Sequence, residues 1–203
     1  MMRLAILISG SGTNLQAILN AIARGALNAS VVLVVSNRKA AYGLTRAEQA
    51  QVPFLYYPLK PYADSGKSRE DYDLDLAVRI AEAEPDLVVL AGWMHVFSAA
   101  FLDRFPNQVI NLHPALPGAF PGTHAIERAY AAAERGEIEF SGCMVHFVVP
   151  EVDAGPVIMQ RIIPINHGES LDFFEARVHA AEHEILVEAI RLILAQQPSR
   201  SEN

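Results

Sequence analysis

The feature that most constrains the fold is an alternation of short apolar runs with segments of helical periodicity. The first run, residues 4–8, ends at Ser-Gly-Ser-Gly, and apolar residues then recur at helical spacing from Leu15 to Ile22. Runs that stay apolar without alternating are typical of strands buried on both faces, as in parallel sheets. The chain is therefore expected to adopt an α/β fold, a single doubly wound, mostly parallel sheet with helices on both faces.

Later segments continue the alternation. Strands are expected at 31–35, 53–57, 87–90, 109–112, 145–149 and 156–165, and helices at 43–50, 69–83, 125–134 and 171–195. An antiparallel orientation of the last two strands stays open. In the helix at 69–83, the apolar face is expected to comprise Leu74, Ala77, Val78 and Ala81. Residues 1–195 are expected to form a single domain, and residues 196–203 a frayed tail.

Charge and composition exclude several classes of protein. The chain has 16 Lys plus Arg against 23 Asp plus Glu, a net charge of -7. Affinity for nucleic acid rests mainly on neutralised phosphates, so no nucleic-acid partner is expected. Cys143 is the one cysteine, which rules out an intrachain disulfide and fits a core position. No run has the length of a membrane span or a secretory signal, so a cytoplasmic protein without a membrane partner is expected.

The turn after the first strand, Gly10 to Asn14, has the composition of a phosphate-binding turn at a helix N-terminus. An ordinary turn with Thr13 or Asn14 as the N-cap has the same composition, and the glycines alone do not separate the two. A dinucleotide fingerprint has a third Gly where Leu15 stands and an acid where residues 36–38 stand. The Gly-Lys-Ser/Thr of a triphosphate loop is absent too. A phosphate monoester therefore fits the turn best.

Asn111 and His113 stand at the end of a predicted strand that Pro114 terminates. Because strand side chains alternate, both point to one side, and Leu112 points to the other. Ligands of parallel sheets gather at the carboxyl ends of strands. The pair is therefore a better candidate for function than either residue alone, whereas Asp153, in a polar loop, is by itself typical of an ordinary turn.

The order His179-Ala-Ala-Glu182-His183 matches a zinc-protease motif. Such a site needs a further protein ligand, and the nearest candidates, Glu184 and Glu188, lie on the same helix. Helix residues that face solvent or a substrate are the better interpretation, so we predict no stoichiometric metal. His95 and His146 are assigned by default to core or supporting positions.

Six blocks in the same order along nearly the whole chain resemble the phosphoribosylglycinamide formyltransferases of purine biosynthesis. The blocks are ISGSGTNLQAIL at 8–19, SNRKAAYGLTRA at 36–47, SREDYD at 68–73, PDLVVLAGWM at 85–94, INLHPALPGAFPG at 110–122 and VHFVVPEVDAGPVI at 145–158. The resemblance implies transfer of the formyl group of 10-formyltetrahydrofolate, a co-substrate, to the glycine amine of 5'-phosphoribosylglycinamide. It implies a monomer or a homodimer whose partners are these small molecules.

The resemblance also assigns site residues. The catalytic ones are Asn111, His113 and Asp153. Those that bind the phosphorylated substrate are Gly12, Thr13 and Asn14 at the phosphate, Glu182 at the ribose end, and His179 on the same helix. Those that bind the folate are Arg69, Met94, His95, Val96, Phe97, Asn111, Val149, Pro150, Glu151, Val152 and Asp153.

The chemistry of formyl transfer agrees with the three catalytic assignments. Attack of an amine on a formyl carbon creates an oxyanion, to which Asn111 and a protonated His113 can donate hydrogen bonds. A carboxylate at Asp153 is expected to raise the pKa of His113 and to favour its charged form near neutral pH. His113 is also the expected donor of the proton that the leaving tetrahydrofolate nitrogen needs.

Other activities fit the chain less well. A methionyl-tRNA formyltransferase needs a second domain and a basic surface, and a formyltetrahydrofolate hydrolase carries a regulatory domain before the catalytic fold. A non-catalytic module that binds a phosphorylated ligand does not require Asn111, His113 and Asp153 together. A dehydrogenase is disfavoured by Leu15 and by the missing acid after the second strand.

Overall fold

Residues 1–196 are described by a computed structural model of the chain, in which seven strands form one sheet. The strands are β1 (Met2–Ile8), β2 (Ala29–Ser36), β3 (Phe54–Tyr56), β4 (Leu87–Leu90), β5 (Val109–His113), β6 (Phe140–Phe147) and β7 (Val157–Pro164). Their order is β3-β2-β1-β4-β5-β6-β7. The first five strands run parallel to one another, while β6 is antiparallel to both of its neighbours, β5 and β7. The expected fold class is confirmed, and the last two strands have the orientation that the sequence left open.

Helices cover both faces of the sheet. They are α1 (Thr13–Ala23), α2 (Tyr42–Gln49), α3 (Lys60–Asp64), α4 (Arg69–Ala81), α5 (Ala99–Arg104), α6 (Ala125–Glu134) and α7 (Leu171–Gln196). One core cluster joins the sheet to α1, α2, α6 and α7, and a second joins it to α4 and α5. Within the described residues, no helix is long and apolar enough to cross a membrane. Gln196, expected in the tail, is the last residue of α7, and residues 197–203 lie outside the described part.

Three local expectations were wrong or incomplete. The short helices α3 and α5 were not predicted, because five and six residues are too few to display a periodic pattern. Strand β6 begins at Phe140 rather than at residue 145. Its first half contains Gly142, where an added Cβ would lie 2.1 Å from the Arg161 carbonyl oxygen of the neighbouring strand. The small residues there are explained by the close approach of two backbones. A pattern of apolar side chains does not reveal this contact.

The buried face of α4 also differs from the expected one. Of the expected face, Ala77 is buried and Ala81 packs against the core, but Leu74 and Val78 are exposed. The fully buried large side chains are Tyr72, Leu76 and Ile80. Both sets are spaced four residues apart, so helical periodicity alone could not choose between them. The tertiary fold chose the face that carries the large aromatic ring.

The functional edge of the sheet is set by its strand order. Strand β1 lies between β2 and β4. The helix that follows β1 packs on one face of the sheet, and the helix that follows β4 packs on the other. Such a reversal opens a crevice beyond the carboxyl ends of the strands, where ligands of open α/β sheets bind. The segments that follow β1, β4 and β5 all line this crevice.

The turn after β1 is locked against α2 by two glycines. Gly12 has φ +69°, and a Cβ added there would lie 2.6 Å from the Gly43 Cα. The Gly43 amide donates to the Gly10 carbonyl at 3.1 Å. A side chain at residue 12 therefore meets both a left-handed backbone and a neighbouring main chain.

We expect Gly12→Ala to destabilise the protein by at least about 1–2 kcal/mol, the cost of a left-handed conformation for an L residue. The free energy of unfolding from urea titration measures this effect. Gly10→Ala is the matched control, because an added Cβ at that position has nothing within 4 Å. Equal stability of the two variants would contradict the packing argument.

Candidate active site

A cavity of about 900 Å³ lies at the carboxyl edge of the sheet. It takes in the segments after β1, β4 and β5, the loop before β7, and one side of α7. Most residues assigned to the site by resemblance line this one cavity: Gly12, Thr13, Asn14, Met94, His95, Val96, Phe97, Asn111, His113, Val149, Glu151, Val152, Asp153, His179 and Glu182. Arg69 and Pro150 are not part of its lining.

Arg69 is hydrogen-bonded to the segment that lines the cavity. Its Nε donates to the Asp73 carboxylate at 2.9 Å, and its Nη2 donates to the Val96 carbonyl at 2.5 Å. Its guanidinium therefore lies behind the segment that lines the cavity. In the described structure, Arg69 supports the wall rather than forming it.

Asn111 and His113 lie on β5 as the strand alternation predicts. Both line the cavity, while Leu112 between them belongs to the core on the α1 and α7 side of the sheet. His113 is buried, and Asn111 is half-buried. The sequence-based pairing of these two side chains is correct in geometry.

Asp153 joins this pair through the loop between β6 and β7. Its Oδ1 accepts a hydrogen bond from Asn111 Nδ2 at 3.1 Å, and its Oδ2 lies 3.4 Å from His113 Nδ1. Asp153 has φ +54°, a left-handed conformation that Asp tolerates better than most residues. Two residues later, a Cβ on Gly155 would lie 1.7 Å from the Phe147 carbonyl oxygen. This close approach at Gly155 holds the loop against the end of β6 and brings the carboxylate to β5.

A model of the formyl transferase family matches residues 2–190 of the chain. The chain belongs to the formyl transferase family. It is 49% identical to the phosphoribosylglycinamide formyltransferase of Schizosaccharomyces pombe over 199 residues, covering 94% of this chain and 96% of that one. The Dictyostelium discoideum phosphoribosylglycinamide formyltransferase is 45% identical, covering 94% of this chain and 97% of its own.

Solved structures agree with the sequence relatives. The crystal structure of glycinamide ribonucleotide transformylase 1 from Symbiobacterium toebii has a TM-score of 0.88 and 42% identity, covering 96% of this chain and 88% of that one. The resemblance inferred from the six sequence blocks is therefore confirmed, and so is the fold of the formyl transferases. These comparisons leave the roles of individual residues as proposals.

His146 is a member of this formyl transferase site that the sequence did not single out. It stands opposite Asn111 in the β5–β6 register, is buried, and has Nε2 3.2 Å from Asn111 Nδ2. The Phe147 carbonyl, 2.9 Å from His146 Nδ1, can only accept, so the neutral ring carries its proton on Nδ1. Nε2 is then an acceptor that orients the Asn111 amide. Only the strand pairing reveals this contact, because 35 residues separate the two side chains.

The loop at residues 117–123 closes one side of the reaction centre. The Phe120 carbonyl lies 3.2 Å from His113 Nε2, and the Gly122 amide donates to Asp153 Oδ2 at 2.8 Å. Arg128 on α6 fastens the loop by donating through Nη2 to the Phe120 carbonyl at 2.7 Å. The loop thus supplies a backbone carbonyl and a backbone amide to the site. No side-chain motif in the sequence indicates these two groups.

Burial and charge act in opposite directions on the central pair. Burial lowers the pKa of His113, and although Asp153 and the Phe120 carbonyl raise it, the net pKa lies below the ordinary value. Burial raises the pKa of Asp153, but the hydrogen bond from the Gly122 amide and the nearby His113 outweigh this, and the net pKa is lowered. Asp153 raises the pKa of His113 as expected, but the expected charged form near neutral pH is not favoured in the ligand-free site, because desolvation of the imidazolium is the larger effect.

The opposite end of the cavity contains the turn at Gly12 and one side of α7. His179 Nδ1 lies 2.6 Å from the buried Glu182 carboxylate, and this hydrogen bond raises the pKa of His179. The Glu182 carboxylate thus has a hydrogen-bond partner, His179, on its own helix. Within residues 1–196, no group of three or more His, Cys, Asp or Glu side chains is arranged to hold a metal ion. The absence of a stoichiometric metal stays a prediction.

We expect Asp153→Asn to lower the pKa of His113 further, because the substitution removes the carboxylate charge that opposes burial. NMR titration of the His113 imidazole nitrogens measures this shift. Glu151→Gln is the matched control, since it removes an exposed carboxylate of the same loop. A rise of the His113 pKa in Asp153→Asn, or an equal drop in both variants, would contradict the assignment.

Proposed function

We propose that this formyl transferase moves the formyl group of 10-formyltetrahydrofolate to the glycine amine of 5'-phosphoribosylglycinamide. The products are the N-formylated ribonucleotide and tetrahydrofolate, as in the purine biosynthesis of its named relatives. The observation that carries the proposal is the convergence of Asn111, His113 and Asp153 in the lining of one cavity. The expected location is the cytoplasm, and the expected form a monomer or a homodimer.

The phosphate end of the cavity fits an anion. Helix α1 begins after Gly12 with no side-chain cap and no acidic residue in its first turn, so its first amide groups are left for a ligand. Asn14 Oδ1 is buried there without a hydrogen-bond partner among the described residues. The free amides of α1 support a bound phosphate monoester. The Asn14 acceptor fits a hydroxyl group of the same ligand, with His179 and Glu182 on the facing helix towards the ribose.

The donor end of the cavity fits a flat, partly apolar group. Met94, Val96 and Val152 line it with side chains that are 54%, 56% and 43% exposed. Exposure of several large apolar side chains in a concave site is typical of ligand walls. We assign this end to the folate, with Val149, Pro150 and Glu151 in the loop beside it and His95 and Phe97 behind.

The folate, when bound, supplies the formyl group, and the polar groups of the chain carry the proton and the charge. Asn111 Nδ2 is the proposed donor to the oxygen on which negative charge develops. In the ligand-free site its amide hydrogens engage Asp153 and His146, so Asn111 must release one of these bonds to do so. The bond that remains, to His146 or to Asp153, then keeps the amide pointing at the reacting oxygen.

His113 is the proposed carrier of the proton. Since burial holds its pKa below the ordinary value, the imidazole is ready to accept the surplus proton of the attacking amine. The two groups nearest its nitrogens, Asp153 and the Phe120 carbonyl, are both acceptors, so they stabilise the imidazolium once it forms. The same imidazolium can return the proton to the leaving nitrogen of the folate.

The wild-type protein should consume 10-formyltetrahydrofolate only when phosphoribosylglycinamide is present. The absorbance change on conversion of the donor to tetrahydrofolate follows the reaction directly. Consumption without the amine would identify a hydrolase. Binding of phosphoribosylglycinamide without any consumption would identify a non-catalytic module.

Removing the polar groups of the reaction centre should impair turnover rather than folding. We expect Asn111→Ala to lower turnover on the order of 10²-fold or more, as for other oxyanion donors. His113→Ala and Asp153→Asn should cost a comparable factor through the lost proton carrier.

Asn28→Ala and His167→Ala are matched controls, because both residues are exposed and lie outside the cavity lining. Circular dichroism verifies that each variant is folded. Near-normal turnover in Asn111→Ala, His113→Ala or Asp153→Asn would remove that residue from the mechanism.

A further inference from the structure

Asp73 is a fully buried carboxylate that the proposed reaction does not use. It lies on α4 with 0% of its surface exposed. Its Oδ1 accepts from Arg69 Nε at 2.9 Å, and its Oδ2 accepts from the Ser98 backbone amide at 2.8 Å. Both oxygens of the buried charge are therefore hydrogen-bonded, one by a side chain of the same helix and one by a distant backbone.

The two partners of Asp73 converge on the same stretch of chain. Arg69 also donates through Nη2 to the Val96 carbonyl at 2.5 Å. Arg69 therefore binds the backbone carbonyl of residue 96, and Asp73 binds the backbone amide of residue 98. We call these two side chains the Asp73–Arg69 clamp.

The clamped stretch, residues 94–98, is the donor wall of the cavity. Its first residue is anchored separately, because the Met94 amide donates to Ser9 Oγ at 3.0 Å. Phe97 is buried and stacks on Phe101 with ring centroids 3.7 Å apart. The apolar stack fixes how deep the segment sits, but only directional hydrogen bonds fix where its backbone and its exposed side chains point.

Burial of the Asp73 charge makes this ion pair a poor source of stability compared with apolar side chains, because the cost of desolvating the carboxylate offsets the attraction of the partly exposed Arg69. What it does supply is a unique geometry, since an unpaired buried carboxylate is strongly unfavourable. Here that geometry is imposed on a ligand wall. An apolar contact in place of the Asp73–Arg69 clamp would supply no directional hydrogen bonds to this segment.

We propose that Asp73 is a positioning residue for the formyl-donor site, acting on residues 94–98 through Arg69 and through the Ser98 amide. Arg69, assigned to the folate by resemblance, then influences the donor through the wall that it holds. This inference rests on the proposed function only in naming the folate as the ligand of that wall.

The decisive variant is Asp73→Asn, which keeps the shape of the side chain but removes the charge that holds Arg69. Two readouts apply: the dissociation constant of tetrahydrofolate by calorimetry, and hydrogen exchange of residues 94–98 in the free protein. We expect about tenfold weaker binding, as for a misplaced site group, together with faster exchange of the Ser98 amide. The dissociation constant of phosphoribosylglycinamide should not change.

Asp75→Asn is the matched control. Asp75 lies two residues further on the same helix, is about half exposed, and contacts Tyr62 and Lys67 rather than the donor wall. It should leave both readouts within about twofold of the wild type, in keeping with the small effects of exposed ion pairs.

Two results would overturn the proposal. One is a folded Asp73→Asn protein that binds tetrahydrofolate as tightly as the wild type does. The other is weakened binding with unchanged exchange of residues 94–98, which would indicate an effect unrelated to the wall.

If Asp73→Asn does not fold, Arg69→Gln serves instead, because it releases the clamp from its partly exposed side. Faster exchange of the Ser98 amide with weaker binding supports the proposal. Weaker binding with unchanged exchange would make Arg69 a direct ligand contact and refute the clamp. Failure of the wild type to bind tetrahydrofolate would instead refute the proposed function, and the exchange measurement would still test the clamp.

Discussion

Everything in this site depends on the parallel arrangement of β1, β4 and β5 as neighbours in one sheet. Their carboxyl ends meet at one edge, so the turn at Gly12, the segment at 94–98 and the Asn111–His113 pair share one cavity. The switch in strand order beside β1 opens that edge by sending successive connections to opposite faces. The close approach of Gly12 and Gly43 then lets the first turn end where the ligand phosphate is proposed to lie.

Buried charge organises the rest of the site in two places. Asp153 is held by Asn111, the Gly122 amide and His113, which together offset the cost of burying the carboxylate. Asp73 is held by Arg69 and the Ser98 amide. In each case one carboxylate connects segments that are far apart in sequence. Asp153 does so at the reaction centre, and Asp73 does so at the donor wall. Small movements of either carboxylate would therefore reach the reacting groups directly.

How well each element could be predicted depends on how far apart in sequence the residues are whose contacts form it. The α/β class, most strands and the long helices follow from local apolar patterns, which depend on neighbouring residues only. The short α5, the start of β6 at Phe140 and the buried face of α4 depend on contacts with other segments, and their prediction failed for that reason. The same limit applies to the site. Alternation along one strand correctly paired Asn111 with His113, but His146 joins them only through the β5–β6 register.

The sequence by itself determined the fold class, the family and, through the resemblance, many of the residues that line the cavity. It could do so because strand alternation is local and six blocks retain their order along the chain. Only the tertiary structure decided the direction of the His113 pKa shift and the place of Arg69. The net pKa of His113 depends on how much desolvation outweighs the Asp153 charge, a balance set by everything packed around the ring. Arg69 supports the wall because the folded chain places Asp73 and the Val96 carbonyl within its reach.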